Sequence, residues 1–214
     1  FQCIMLSVES SALSILLPLI VFVAYTTAEC VDGQGNALKM HDVFQGNKDI
    51  VFSNFVMLTY DAQKRPLCSR KGKGRIALPG YVRFASGVVR VKKAIELSGP
   101  THIGFSLEKN SMIVGTVCKN GRSKNMFVED SMCHIDLFSL TTPSAIKQFR
   151  QVGEYDIQTF GFTNMIPLSA MDNPYVEGEW KVSASLVSGG KPFGGVIIDG
   201  EWIHVTTSDA KTEL

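Results

Sequence analysis

The 214 residues carry 21 Lys and Arg against 20 Asp and Glu, a formal charge of +1, so the overall balance does not mark a nucleic-acid binder. Hydrophobic residues make up 45% and charged residues only 19%, with 19 glycines and 13 phenylalanines. That profile excludes a disordered or coiled-coil chain and favours a compact, β-rich one long enough to bury a sizeable core.

The first signal in chain order is residues 12–25, ALSILLPLIVFVAY, which carry no charge and run into TTA and then Glu29-Cys30. An apolar run ending in small residues reads as a secretory signal, residues 1–28, cleaved near Ala28. Pro18 interrupts the run, which is short for a membrane span. The chain opens on Phe1, and Met5 is the expected start. Residues 29–49 read as a polar lead-in, and residues 50–214 as the folded domain.

Period-two alternation then recurs. In residues 50–60, Ile50, Phe52, Val56, Leu58 and Tyr60 fall on one face, with Asn54 the exception. The next stretch, KRPLCSRKGKGR, crowds Lys64, Arg65, Arg70, Lys71, Lys73 and Arg75 with no acidic residue. It reads as a solvated loop, as a basic patch for anionic lipid headgroups, or as a proprotein cleavage site. VVRVKKAIEL places Val89, Val91, Ile95 and Leu97 in alternation, and HIGFSLE does the same with Ile103, Phe105 and Leu107. A turn at Lys109-Asn110-Ser111 leads into MIVGTVC, and YDIQTFGF reads as a further strand. Strands of this length, split by glycine and proline, predict an all-β, two-sheet antiparallel sandwich or barrel. One short helix competes: Thr142 can cap it, Pro143 suits its first position, and Gly153 can terminate SAIKQFRQV. The closing hairpin, GEWKVSASLVSGGKPFGGVIIDGEW, sets Trp180, Val182, Ala184 and Leu186 on one face, with positive φ angles expected at Gly189-Gly190.

Without the signal and its Cys3, four cysteines remain: Cys30, Cys68, Cys118 and Cys133. Two disulfides are expected, with three possible connectivities. The 14 residues between Cys118 and Cys133 favour that pair, which leaves Cys30 with Cys68. The spacing fits no zinc pattern, so neither a metal nor another cofactor is expected.

Catalytic signatures are weak. His41 lies in the lead-in, His102 and His204 alternate with apolar residues and are expected to face solvent, and His134 adjoins Cys133. No GxSxG elbow, Walker loop or dinucleotide fingerprint is present, and no enzymatic activity is expected. No N-x-[ST] sequon occurs, and the final KTEL only approximates the ER-retention tetrapeptide.

The stretch PYVEGEWKVSASLVSGGKPFGGVIIDG resembles the C-terminal hairpin of the GM2-ganglioside activator family within the ML lipid-recognition superfamily. The shared pattern is Gly178, Trp180, Val182, Leu186, Ser188-Gly189 and Val196 to Ile198. MCHIDLF around Cys133 and FSLEKNSMIVGTVC ending at Cys118 are similar to that family's cysteine-bearing segments. The family has more cysteines, one of them where this chain has Gly194-Gly195.

The resemblance implies an immunoglobulin-like β-cup whose apolar internal cavity takes the acyl chains of a glycolipid, phospholipid or fatty acid, for presentation or transfer. Its wall residues would be Phe52, Val91, Phe105, Leu107, Phe160, Phe162, Trp180, Val182, Leu186 and Ile197. A membrane-touching lip would comprise Met165, Ile166, Leu168, Met171 and Tyr175. The implied partners are lipid, a membrane surface and a hydrolase or receptor, in a secreted protein or one of a lysosomal or other endomembrane lumen. Rival readings are an immune or signalling module of the same fold, a secreted hydrolase, and a structural β-domain with a solid core.

Overall fold

The computed structural model describes residues 30–126, 128–141, 143–160, 164–169, 175–200 and 202–207. The expected signal, Thr142, Phe162, Met171 and the KTEL tail lie outside the described residues.

The strands in chain order are β1 (Ala37–Asp42), β2 (Ile50–Tyr60), β3 (Arg75–Leu78), β4 (Gly80–Val91), β5 (Thr101–Lys109), β6 (Thr116–Lys119) and β7 (Arg122–Ser123). There follow β8 (His134–Asp136), helices α1 (Leu137–Leu140) and α2 (Pro143–Gln148), β9 (Gly153–Asp156), β10 (Ile166–Leu168), β11 (Gly178–Ser188), β12 (Lys191–Ile198) and β13 (Ile203–Thr207). The result is an all-β sandwich with little helix, as the alternation predicts. Its layers belong to one hydrogen-bonded path, β10-β4-β2-β1-β12-β11-β5-β6-β7, with β8 added to β5, β9 to β4, and β13 bridging β11 and β3. The β13–β3 pair is parallel, a departure from the all-antiparallel expectation.

The lead-in is not outside the domain. Residues 37–42 form β1, which sits between β2 and β12 and turns Leu38 and Met40 into the core. With only Leu38 and Met40 as large apolar side chains in six residues, this strand carries little alternation signal of its own. Its buried polar groups are satisfied. Asn36 donates to the Thr59 carbonyl and to Asp32, both at 3.0 Å, and accepts from the Gly33 amide at 2.8 Å. Asp42 accepts from the amides of Phe44 (2.7 Å) and Phe52 (3.1 Å).

Simple alternation also fails inside β2 and β4. Asn54 takes a φ of 55°, and the β2–β4 register shifts between Ser53 and Val56 and again at Met57. A bulge of this kind inserts an unpaired residue and reverses which parity faces inward. Ile50 and Phe52 face the core before it; Phe55 and Met57, opposite Met40 and Leu38, face it afterwards. Val56, Leu58 and Tyr60, expected beside Phe52, are displaced from that face. In β4 the inward set likewise changes from Val82 and Phe84 to Val89 and Val91.

Three expected strands are shorter than their patterns. β4 ends at Val91, and Ile95 is buried in a loop whose amide donates to the Phe149 carbonyl at 3.0 Å. Met112 and Ile113 belong to a turn, and β6 starts only at Thr116. In YDIQTFGF, β9 ends at Asp156 and a 3-10 turn covers Ile157–Phe160. The helix expected after Thr142 forms as α2, and α1 precedes it, with Asp136 accepting from the Phe138 amide at 3.0 Å. Among the described residues no helix is long and apolar enough to cross a membrane.

Both expected disulfides form. Cys118–Cys133 ties β6 to the 3-10 turn before β8, and Cys30–Cys68 ties the segment before β1 to the basic loop. Such bonds persist in oxidising compartments, extracellular or lumenal.

Candidate functional site

The register of the β11–β12 hairpin assigns its side chains to one face or the other. Trp180, Val182, Ala184 and Leu186 stand opposite Lys109, Leu107, Phe105 and Ile103 of β5. On the other side, Ala184 stands opposite Val196 and Ser183 opposite Ile197. Ile198 and Val196 pair with Met40 and Asp42, whose side chains point into the core, whereas Ile197 pairs with His41. Ile197 therefore faces outward and does not belong to the interior wall expected of it. It lines a shallow groove of about 210 Å³ with Ser106, Lys181 and Ser183 on the outer surface.

The interior is packed unevenly. At one end Val91, Phe160 and Leu186 are buried with Ile50, Leu137 and Phe193. The Phe149 ring centre lies 5.1 Å from that of Phe160, tilted, and 6.2 Å from that of Phe193, edge-on, which closes that end with the α2 segment and the 3-10 turn. At the other end Trp180 is buried with Val205, Ile203 and Leu38, and its indole N–H donates to the Val176 carbonyl at 2.6 Å.

Between these ends several inward-facing side chains stay only partly buried, Phe52, Phe84, Phe105, Leu107, Val182, Ala184 and Val196, beside the fully buried Met40, Phe55, Met57, Val89 and Ile198. A solid sandwich would bury such mid-strand positions most deeply, because both layers cover them. Of the expected wall, Phe52, Phe105, Leu107 and Val182 lie in this middle zone, whereas Val91, Phe160, Leu186 and Trp180 form the packed ends. Phe55, Phe84, Ala184 and Val196 also face inward, and sequence reading does not single them out as wall. For Phe55, Phe84 and Val196 the missing signal is the pair of bulges and the β1 register.

The expected lip divides too. Ile166 and Leu168 are in β10, opposite Val82 and Gly80, and pack against the core. Met165 is half-buried beside them, while Tyr175 is 64% exposed.

The basic stretch is partly neutralised. Arg65 pairs with Asp61 at 2.7 Å, Lys73 with Glu179, and the Lys64 ammonium lies 5.1 Å from the Tyr81 ring centre. Burial, and then Arg70 beside it, lower the proton affinity of Arg75, whose Nε is buried without a hydrogen-bond partner among the described residues. Arg70 and Lys71 remain exposed on a turn, closed by reciprocal 3.0 Å hydrogen bonds between the backbones of Arg70 and Lys73. Hydrogen bonds from Lys73 and then Asn110 hold the Glu179 carboxyl below the usual range.

The histidines are not all solvent-facing. His102 is half-buried, with its ring centre 5.1 Å from that of His134, whose Nδ1 lies 3.2 Å from the Gly121 carbonyl. Burial, and then the charge of His134, push the His102 imidazole below its ordinary value. His41 contacts Asp199, and His204 lies opposite Glu179 across β13–β11. Among the described residues no three His, Cys, Asp or Glu side chains group closely enough to hold a metal ion.

A second groove, of about 520 Å³, is a polar surface feature with Asn47, Lys48, Asp49, Glu96 and Lys191 at its walls. No protein-family model matches the chain, and no curated protein matches it.

Proposed function

We propose that this is a non-enzymatic lipid-binding protein of a secreted or lumenal compartment, which takes acyl chains between its β-layers and presents or transfers the lipid. The observation that carries the reading is the set of partly buried, inward-facing apolar side chains at mid-strand beside the buried core: Phe52, Phe84, Leu107, Val182 and Val196, with Phe105 opposite Ala184. Each methylene removed from water contributes about 0.8 kcal/mol, so an alkyl chain laid along those side chains supplies most of the affinity, and a headgroup stays at the rim. The hairpin resemblance to the ganglioside-activator family and the two disulfides support the same reading. Lipid is the partner, with peripheral contact to a membrane surface for loading and release.

Organic extraction of the purified protein followed by mass spectrometry tests this directly. Stoichiometric co-purified lipid, or saturable binding of a fluorescent fatty acid by delipidated protein, is the expected result. An extract without lipid, together with no probe binding, would overturn it in favour of a solid structural domain.

A further inference from the structure

Two tight turns far apart in sequence meet at Glu179. The first, between β5 and β6, is built by Ser111. Its hydroxyl accepts from the amides of Ile113 and Val114, both at 3.3 Å, and its carbonyl accepts from the Gly115 amide at 3.0 Å. With the backbone satisfied from inside, the side chains of Met112 and Ile113 point outward and are 105% and 93% exposed. The second turn carries Arg70 and Lys71, with Lys71 at a φ of 52°. Glu179 joins the two: its carboxylate accepts from Asn110 at 2.9 Å and pairs with Lys73, and its carbonyl accepts from the Asn110 amide at 2.9 Å. Lys109, next along, donates to the carbonyl of Tyr175, whose side chain is also exposed.

A fully exposed methionine–isoleucine pair on a convex tip has no role in the core, and two protruding side chains make too small a face for a stable protein interface. A protruding apolar tip beside cations suits a soft, negatively charged surface, where the side chains enter the acyl boundary and the cations remain among headgroups. Among the described residues Arg70 and Lys71 have no acidic partner, so their charge is available to that surface.

We propose that the Met112–Ile113 tip, with the Arg70–Lys71 turn beside it, is the edge by which this protein inserts into anionic bilayers. It specifies the membrane contact of the lipid-binding reading and rests on that reading for its purpose. Each apolar side chain contributes about tenfold or more to partitioning, and each cation about fivefold at low salt.

The test is co-sedimentation of the full chain with vesicles of phosphatidylcholine alone and of phosphatidylcholine with phosphatidylserine, at low and high salt. The protein binds the phosphatidylserine vesicles more tightly, and the preference shrinks at high salt. The double variant Met112→Asp/Ile113→Asp loses binding by at least tenfold in both salts. Arg70→Gln/Lys71→Gln loses about twentyfold at low salt and little at high salt. Both variants retain binding of a fluorescent fatty acid, because neither turn contributes to those interior side chains. Undiminished vesicle binding by the tip variant, or absence of vesicle binding by the unaltered chain, would sink the insertion edge. Failure of the fatty-acid probe with vesicle binding intact would instead count against the acyl-binding interior alone.

Discussion

The Phe55 ring occupies the space that a side chain on Gly87 would need: a Cβ built there would lie 2.4 Å from the ring, and Gly87 has a φ of 154°. Phe55 faces inward because of the bulge at Asn54, and β4 lacks a side chain where the ring passes. Gly87→Ala is expected to destabilise the fold by about 1–3 kcal/mol through overpacking, read as a lower urea midpoint with an unchanged slope. An unaltered midpoint would show that the ring has room to move.

The partly buried mid-strand side chains and the packed ends respond differently to substitution. Ala184→Phe, at mid-strand opposite Phe105 and Val196, is expected to lower fatty-acid affinity at least tenfold with little change in stability. Phe160→Ala, in the closed aromatic end, is expected to cost about 3–5 kcal/mol of stability while the folded fraction still binds the probe. A strongly destabilised Ala184→Phe protein would mean that the interior is full.

Asn36 is 1% exposed and holds the start of β1 to the end of β2. Asn36→Ala leaves the Gly33 amide without its acceptor and the Thr59 carbonyl without one of its donors. It is expected to cost about 1–3 kcal/mol in chemical denaturation. A cost near zero would show that water replaces the amide at no loss.

Removing the Cys118–Cys133 bond as a double serine variant frees a loop of sequence separation 15 and is expected to cost about 3 kcal/mol. The Cys30–Cys68 bond, with a separation of 38, is expected to contribute slightly more, about 4 kcal/mol. Denaturation of each double variant orders the two, and the reverse order would contradict the loop-entropy account.

The folded pKa of His102 lies below its unfolded value, which is about 6.5. Above that pH the residue is neutral in both states and has no effect. As pH falls below it, the unfolded chain takes up the proton first, so stability declines until the folded form is protonated too. The groups facing the ring are His134 and, across the β5–β8 pair, Asp136. His102→Gln is expected to flatten the stability profile between pH 6.5 and more acidic values, measured as thermal midpoint against pH. An unchanged slope would assign the acid sensitivity to other groups.

Local chemistry was enough to read the all-β class, the hairpin through Gly189-Gly190 and helix α2, and to favour one of the three possible pairings of the four cysteines. Each rests on alternation, turn residues or counting within one stretch of chain. Tertiary structure alone decided the rest. The register shifts between Ser53 and Met57 of β2, opposite Phe84 to Val88 of β4, reverse the inward face, and such a shift is a property of two paired strands rather than of one. β1 carries only two large apolar side chains, too few to announce a central strand, and Ile197 turned outward because its pairing with His41 fixed its parity. Glu179 gathers Lys73 from 106 residues earlier in the chain and Asn110 onto one edge, a meeting set by how the strands stack and invisible to any period in the sequence.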